Sequence, residues 1–483
     1  MHLKVVFKTV ALLVLIVDAF LLACALVGAY YEEWAAVKGL ILTVALSASL
    51  SGIIFMACRS DKKRTLAVRD SFIFVTLSWI AVSMTGALPY VFGGGLLGFT
   101  DAFFESMSGF STTGATVISD IEIIPKSILL WRSLTQWLGG MGIVVLTVAI
   151  LPMLGVGGMQ LIQAELTGPA VDKITPRITE TAKYLWYIYI AFTIILTLLL
   201  VLGGMSFFDS LNHALSTVAS GGFSTKNDSL GHFNSAYFDW VVTLFMFLAG
   251  VNFTLHFRFL TGKFKTALTN TEFKAYVGIV VTAASMAALG LYFEANETIA
   301  NSFRHALFQC VSVITTTGFT TSDYGSWPHV SQVVLFVLML TGACAGSTSG
   351  GVKLVRYVIL LKQGLNELKH LIYPRGVFVL KISGSSVNRD IVYAVSGFFF
   401  LYAFTVMAVT LAVAASGVEL LTSLSAALST VGNIGTGFGG IGAGQNCAFF
   451  SDYVKWVLSF AMMAGRLELY TVFVLFTPIF WKR

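Results

Sequence analysis

Four short runs in this 483-residue chain combine glycine with serine and threonine. They are Ser111-Thr112-Thr113-Gly114-Ala115-Thr116, Ala219-Ser220-Gly221-Gly222-Phe223-Ser224-Thr225, Thr315-Thr316-Thr317-Gly318-Phe319-Thr320-Thr321 and Gly435-Thr436-Gly437-Phe438-Gly439. The chemistry open to them is the holding of a dehydrated cation. Such an ion must exchange its water shell for protein oxygens without falling into a deep well. Carbonyls from several extended strands do this, and glycine supplies the backbone freedom they need. Hydroxyls add neutral oxygens. None of the runs contains a carboxylate, which argues against a divalent ring and for a monovalent cation. Gly114, Gly222, Gly318 and Gly437 stand 108, 96 and 119 residues apart. One such run is an ordinary packing or turn feature, but four at comparable spacing read as a ring.

A ring needs elements that carry each run to the same depth. Apolar segments of about 20 residues, the length of a membrane span, fall at 10–30, 39–58, 70–93, 128–152, 182–204, 237–260, 272–294, 328–362 (interrupted), 390–415 and 452–478. Four shorter apolar segments, 99–111, 206–219, 300–315 and 420–432, each end in one of the glycine runs. A half-span can enter and leave a bilayer only where its non-helical part is buried in protein or lines a water-filled path. The expected unit is therefore span, half-helix, extended glycine loop, span, repeated four times after two extra spans. If the half-helices enter from outside, their partly negative C-terminal ends face the ion.

Two further features fall in the later units. The eighth span is broken by Thr341-Gly342-Ala343-Cys344-Ala345-Gly346-Ser347-Thr348-Ser349-Gly350-Gly351, which should unwind at membrane depth. Each glycine there costs about 1 kcal/mol of helix relative to alanine. This break is expected in the third unit only. Arg466 lies midway along the last span, where a charge must face protein or water. Two residues from Glu468 it does not share a helix face with it, so it is expected to face the pore beneath the ring, in a gating role. Asp18 reads as a packing hydrogen-bond group, and His213 and His305 as packing residues. Glu105 and Asp209 suit either cation attraction or capping.

Composition sets the class. Hydrophobic residues make up 56% and charged residues 11% of the chain, against about 25% charged in a soluble protein. The reading is an all-α polytopic membrane protein of about ten spans, without a sizeable soluble domain. Twenty-three of the 30 basic residues fall on alternate connections, which puts both termini in the cytoplasm. The basic loops need no nucleic-acid partner. The first apolar run is too long for a signal peptide's core and reads as a span. The five cysteines are scattered, without metal-ligand spacing. A membrane enzyme would need a cluster of acidic residues or histidines near one face, and the seven histidines form none. A cation-coupled secondary symporter remains the alternative, although such proteins favour inverted repeats and intramembrane carboxylates.

With the four runs, the Gly342–Gly351 stretch, Gly465-Arg466-Leu467-Glu468-Leu469-Tyr470-Thr471 and the ending Phe476-Thr477-Pro478-Ile479-Phe480-Trp481, the chain resembles the potassium-translocating subunits of the Trk/Ktr/HKT superfamily, in particular the bacterial Trk-system membrane subunits. The resemblance implies K⁺ uptake across the inner membrane. It implies a selectivity filter with glycines at Gly114, Gly222, Gly318 and Gly437, and ion-facing carbonyls at Thr112, Thr113, Ser220, Gly221, Thr316, Thr317, Gly435 and Thr436. It implies a gate at Gly342, Gly346, Ser347, Gly350 and Gly351 with Arg466. It also implies a homodimer and a cytosolic TrkA-like ring that binds NAD or ATP. No covalently bound cofactor is expected, K⁺ being the cargo. The expected division is 1–69 for the two extra spans, then units at 70–160, 161–265, 266–385 and 386–483. The fourth run is glycine-dense and lacks the Thr-Thr pair, so the ring should be chemically unequal.

Overall fold

The computed structural model describes residues 2–58, 68–142, 178–295 and 298–482. The basic residues Arg59, Lys62, Lys63, Arg64, Lys173 and Arg177, the end of the expected span 128–152, and the expected boundary at 160 lie outside the described residues.

Helices α1 (Leu3–Tyr30) and α2 (Trp34–Ala57) form an antiparallel pair. On α1, Val6, Val10, Leu13, Val17 and Leu21 repeat at helical spacing and are buried, while Leu22 and Leu26 on the other side are exposed. This is an inward stripe on an otherwise apolar helix. Asp18 sits within the pair, accepting a hydrogen bond from the Ser47 hydroxyl at 2.6 Å, which is the packing role expected of it.

Four units follow with a shared element order. A long helix comes first: α3 (Val68–Phe92), α6 (Ile178–Leu202), α11 (Thr271–Glu294) or α15 (Arg389–Ala414). A half-helix follows it in each unit: α4 (Phe99–Phe110), α7 (Phe207–Val218), α12 (Ile299–Ile314) or α16 (Leu420–Val431). At about 1.5 Å per residue, 12 helical residues reach about half of a 30 Å hydrocarbon core. Each unit then returns through a glycine loop into α5 (Lys126–Gly140), α8 (Ala236–Ala249), α13 (His329–Met339) or α17 (Asp452–Arg466). The half-helices are buried toward their C-terminal ends, from Ala102 to Phe110 without exception in α4. α7 begins on a serine N-cap, with the Ser206 hydroxyl accepting from Asp209 N and donating to its carboxylate.

The expectation that only the third unit breaks after its loop is corrected. α8 ends at Ala249, and the chain turns by 98° into α9 (Phe253–Leu260). α17 ends at Arg466, and the chain turns by 109° into Tyr470–Phe476 through Glu468 and Leu469, both at positive φ. α5 also ends early, at Gly140. In the third unit the chain is non-helical from Thr341 to Lys353, before α14 (Leu354–Ile372). Among the described residues, six helices are long and apolar enough to cross a bilayer, and the two bent pairs raise the number to eight. A two-residue hairpin, Lys381–Ile382 against Ser385–Ser386, is the sheet found among the described residues.

Candidate functional site

The four half-helices end alike. Each is followed by a residue at positive φ and, two residues later, by a glycine at positive φ. The pairs are Thr112 and Gly114, Ser220 and Gly222, Thr316 and Gly318, and Asn433 and Gly435. The amide before each glycine donates to the carbonyl of a serine in the last turn. Thr113 bonds Ser108, Gly221 bonds Ser216, Thr317 bonds Ser312 and Ile434 bonds Ser429, at 2.8–2.9 Å. The loops are thus four copies of one backbone turn.

These copies touch in a closed circuit. A β-carbon on Gly114 would collide with the carbonyl oxygen of Gly221, and one on Gly222 with that of Thr317. One on Gly318 would strike the oxygen of Ile434, and one on Gly435 that of Thr113. Every ring glycine is therefore required twice, for its left-handed backbone and for the neighbour's carbonyl against it.

The circuit revises the register of the fourth run. Its ring glycine is Gly435, not Gly437, so the equivalents of Thr112 and Thr113 are Asn433 and Ile434 rather than Gly435 and Thr436. Gly437 lies further on, where its N–H donates to Ile441 O at 2.9 Å and its carbonyl accepts from the Tyr324 hydroxyl at 2.7 Å. Burial pushes the Tyr324 phenol up, so it stays a neutral donor. Three alternating glycines at 435, 437 and 439 made the register ambiguous. The serine six residues before each ring glycine (108, 216, 312, 429) is the signal that resolves it.

On one side of the ring lies a cavity of about 60 Å³ whose lining includes Gly114, Gly222, Gly318, Gly435 and Thr436. On the other side lies the unwound segment of the third unit. The Thr348 hydroxyl pairs with that of Ser220 at 2.8 Å, and Gly350 N donates to the Thr316 hydroxyl at 2.7 Å. A β-carbon on Gly350 would meet that of Asn433 at 2.7 Å. The segment thus touches the left-handed residues of units two, three and four. The counterpart in unit one, Thr112, is fully buried, and its hydroxyl takes no hydrogen bond.

The other residues expected at a gate hold the segment folded. Gly342 N donates to Val352 O at 2.8 Å, and the Gly346 carbonyl accepts from Phe253 N at 3.0 Å. The Ser347 hydroxyl reaches Cys344 O and the Ser349 hydroxyl. Gly351 takes a positive φ. Glu272 on α11 accepts from Ala345 N and Val355 N, so one carboxylate oxygen clasps both ends of the break.

Arg466 is the last residue of α17. Its guanidinium donates to Thr348 O at 2.9 Å, Gly139 O at 2.7 Å and Gly140 O at 3.0 Å. It ties the unwound segment to the end of α5. Glu468 points elsewhere and pairs with Arg356, whose guanidinium lies over the Phe398 ring at 3.8 Å.

Around the ring, ion pairs tie the helices together within and between units. Lys455 meets Asp101 at 2.6 Å, and Arg304 meets Asp239 at 3.3 Å. Arg132 and Glu105, both essentially inaccessible, pair at 2.8 Å. Glu105 also accepts from Thr116 and Val117 N, and Asp209 accepts from Thr225, so both carboxylates are spent inside the protein. His213 bonds Asp209 O and Ser224, and His305 lies near Thr321, which are packing roles. Among the described residues no cluster of acidic groups, histidines or cysteines could hold a metal ion.

Fold and site together define an all-α polytopic membrane protein built on four glycine-loop units around one axis. A family model described as "Cation transport protein" matches residues 33–282 and 295–482. A potassium uptake protein of the Trk system, TrkH from Salmonella typhimurium, is 39% identical over the full length of both chains, and TrkH from Vibrio parahaemolyticus is 41% identical over the same extent. The crystal structure of the potassium transporter TrkH from Vibrio parahaemolyticus superposes with a TM-score of 0.89 at 38% identity, covering all of both chains. The chain belongs to the TrkH family, a family of transport proteins and not of enzymes.

Proposed function

We propose that the chain carries K⁺ into the cell across the cytoplasmic membrane, through the ring formed by Gly114, Gly222, Gly318 and Gly435. The observation that carries this reading is the closed circuit of glycine–carbonyl contacts. Four neutral oxygen-bearing strands at one depth suit a dehydrated monovalent cation, and the relatives are named as potassium uptake proteins. Thr112, Thr113, Ser220, Gly221, Thr316, Thr317, Asn433 and Ile434 supply the oxygens nearest the ion path. Thr436 lies at the cavity side and Gly437 behind the ring.

The segment from Gly342 to Gly351 acts as the gate. It lies directly beneath the ring, and Arg466 latches it shut through Thr348 O. Both termini face the cytoplasm. The chain works as a homodimer, under a cytosolic TrkA-like ring that senses NAD or ATP. The four units at 70–160, 161–265, 266–385 and 386–483 share the pore, and 1–69 packs outside it.

Flux of Rb⁺ into liposomes containing the purified protein tests the reading. Uptake driven by a K⁺ or Rb⁺ gradient, unaffected by excess Na⁺ and independent of a pH gradient, is expected. Absence of K⁺-selective flux overturns it, and strict dependence on a Na⁺ or proton gradient replaces it with symport.

A further inference from the structure

One seam of the ring is built differently from the other three. Two side chains one turn apart on α5, Arg132 and Gln136, clamp the second unit's strand along its length. The Gln136 amide donates to Gly221 O at 2.6 Å and accepts from Phe223 N at 3.0 Å. Arg132 donates to Ser224 O at 3.1 Å, and its guanidinium lies 3.9 Å over the Phe223 ring. Glu105 holds that guanidinium from the other side.

The other units have nothing comparable. Counted from the N-caps Pro125, Ser235, Pro328 and Ser451, the counterparts of Arg132 are Val242, Leu335 and Leu458. Those of Gln136 are Met246, Met339 and Met462. All are buried. The same count equates Gly139 with Gly465, and these two meet equivalent half-helix carbonyls, those of Phe110 and Val431.

The strand residue also changes with the seam. The positions equivalent to Gln136 carry Met246, Met339 and Met462, and those equivalent to Gly221 carry Thr317, Ile434 and Thr113. Gly221 is not in the left-handed region. Its missing side chain is explained by space, since a β-carbon there would run into the Gln136 amide. Three seams therefore join methionine to a side-chain-bearing strand, and one joins an amide to a bare one.

We infer that Gln136, supported by Arg132 and Glu105, is a positioning element that sets the lean of the Gly221 carbonyl. In this way it governs how well the ring distinguishes K⁺ from the smaller Na⁺. The inference rests on the reading of the ring as the ion path. The Gly221 oxygen lies between the Gln136 amide and Gly114, so loss of the amide removes the hydrogen bond that fixes its direction. A ring that can contract accommodates the smaller ion.

The test is Rb⁺ flux into liposomes at increasing Na⁺, with the K⁺- and Na⁺-dependent shift of melting temperature as a binding readout. Gln136→Met is expected to keep flux but lose about tenfold in K⁺ over Na⁺ discrimination. Gly221→Thr alone is expected to lose discrimination through collision with the amide. The double variant Gln136→Met/Gly221→Thr, which rebuilds the seam in the form of the other three, is expected to recover most of it. Arg132→Lys, which keeps the charge but loses the reach to Ser224, is expected to fall between. A Gln136→Met protein with wild-type discrimination in both readouts overturns the inference. So does failure of both the single and the double variant to yield folded protein, which would make the pair an assembly element only. If the unaltered protein shows no K⁺ selectivity, the functional reading fails and not this seam alone.

Discussion

The α-carbon of Gly435 lies against the carbonyl oxygen of Thr113, with no room for a β-carbon between them. These residues are more than three hundred positions apart, and their contact closes the circuit begun by Gly114 and Gly221. Gly435 also holds a φ of +90°. A side chain there meets two penalties, about 1–2 kcal/mol for the left-handed backbone and the displacement of the Thr113 oxygen.

Gly435→Ala should therefore behave like Gly318→Ala, with K⁺ over Na⁺ discrimination abolished or reduced at least tenfold in liposome flux. Gly437→Ala should act differently. Its β-carbon would strike the Ser425 hydroxyl, behind the ring, so lower melting temperature with retained discrimination is expected. The reverse ranking of the two variants would return the ring position to Gly437.

Arg466 donates to three carbonyls, and bonds from a charged donor are worth about 1.5–3 kcal/mol each. Arg466→Gln should release the segment around Thr348 and raise unregulated Rb⁺ leak by one to two powers of ten. Deletion within 342–351 should do the same. Tightly regulated flux in both variants would remove the gate from this segment.

The Thr316 hydroxyl accepts from Gly350 N in the unwound segment, whereas the hydroxyl of Thr112 makes no such bond. Thr316→Val should increase basal leak, by about tenfold if one buried hydrogen bond is lost. Thr112→Val should leave the leak near its original level. Equal leak in the two variants would mean that the segment is not held from the third unit.

Glu105→Ala strips the partner from a guanidinium with essentially no solvent contact. Breaking a buried pair in this way costs about 3–5 kcal/mol, so a marked fall in melting temperature is expected. Glu105→Gln, which keeps one carbonyl oxygen to accept from Thr116 and Val117 N, should lose less. Detergent melting curves on the three proteins give the ranking directly.

Much of this architecture was legible in the residues. A segment of half-bilayer length ending in a glycine run is too short for a span, and α4, α7, α12 and α16 stand where the short apolar segments predicted them. The unwound segment was legible over 341–351, where four glycines interrupt it, though it runs on to Lys353. The breaks after Ala249 and Arg466 were not, because each is made within a few residues that leave hydropathy high. The packing of His213 followed from its apolar helix, but the partner of Glu468 is Arg356, in another unit, and no local spacing reports it. Arg132 and Gln136 sat in plain view, two polar residues one turn apart in an apolar span. Their meaning came only from the strand laid across them.

The early ends of α5, α8, α13 and α17 carry one more consequence. After α8, α13 and α17 the chain turns or unwinds beside the glycine ring, so the protein is jointed there. On the proposed reading, the pieces beyond these joints are expected to tilt while the helices that carry the ring keep still. Opening and ion choice would then be separable properties, and a defect confined to the jointed pieces should yield a protein that leaks yet remains discriminating.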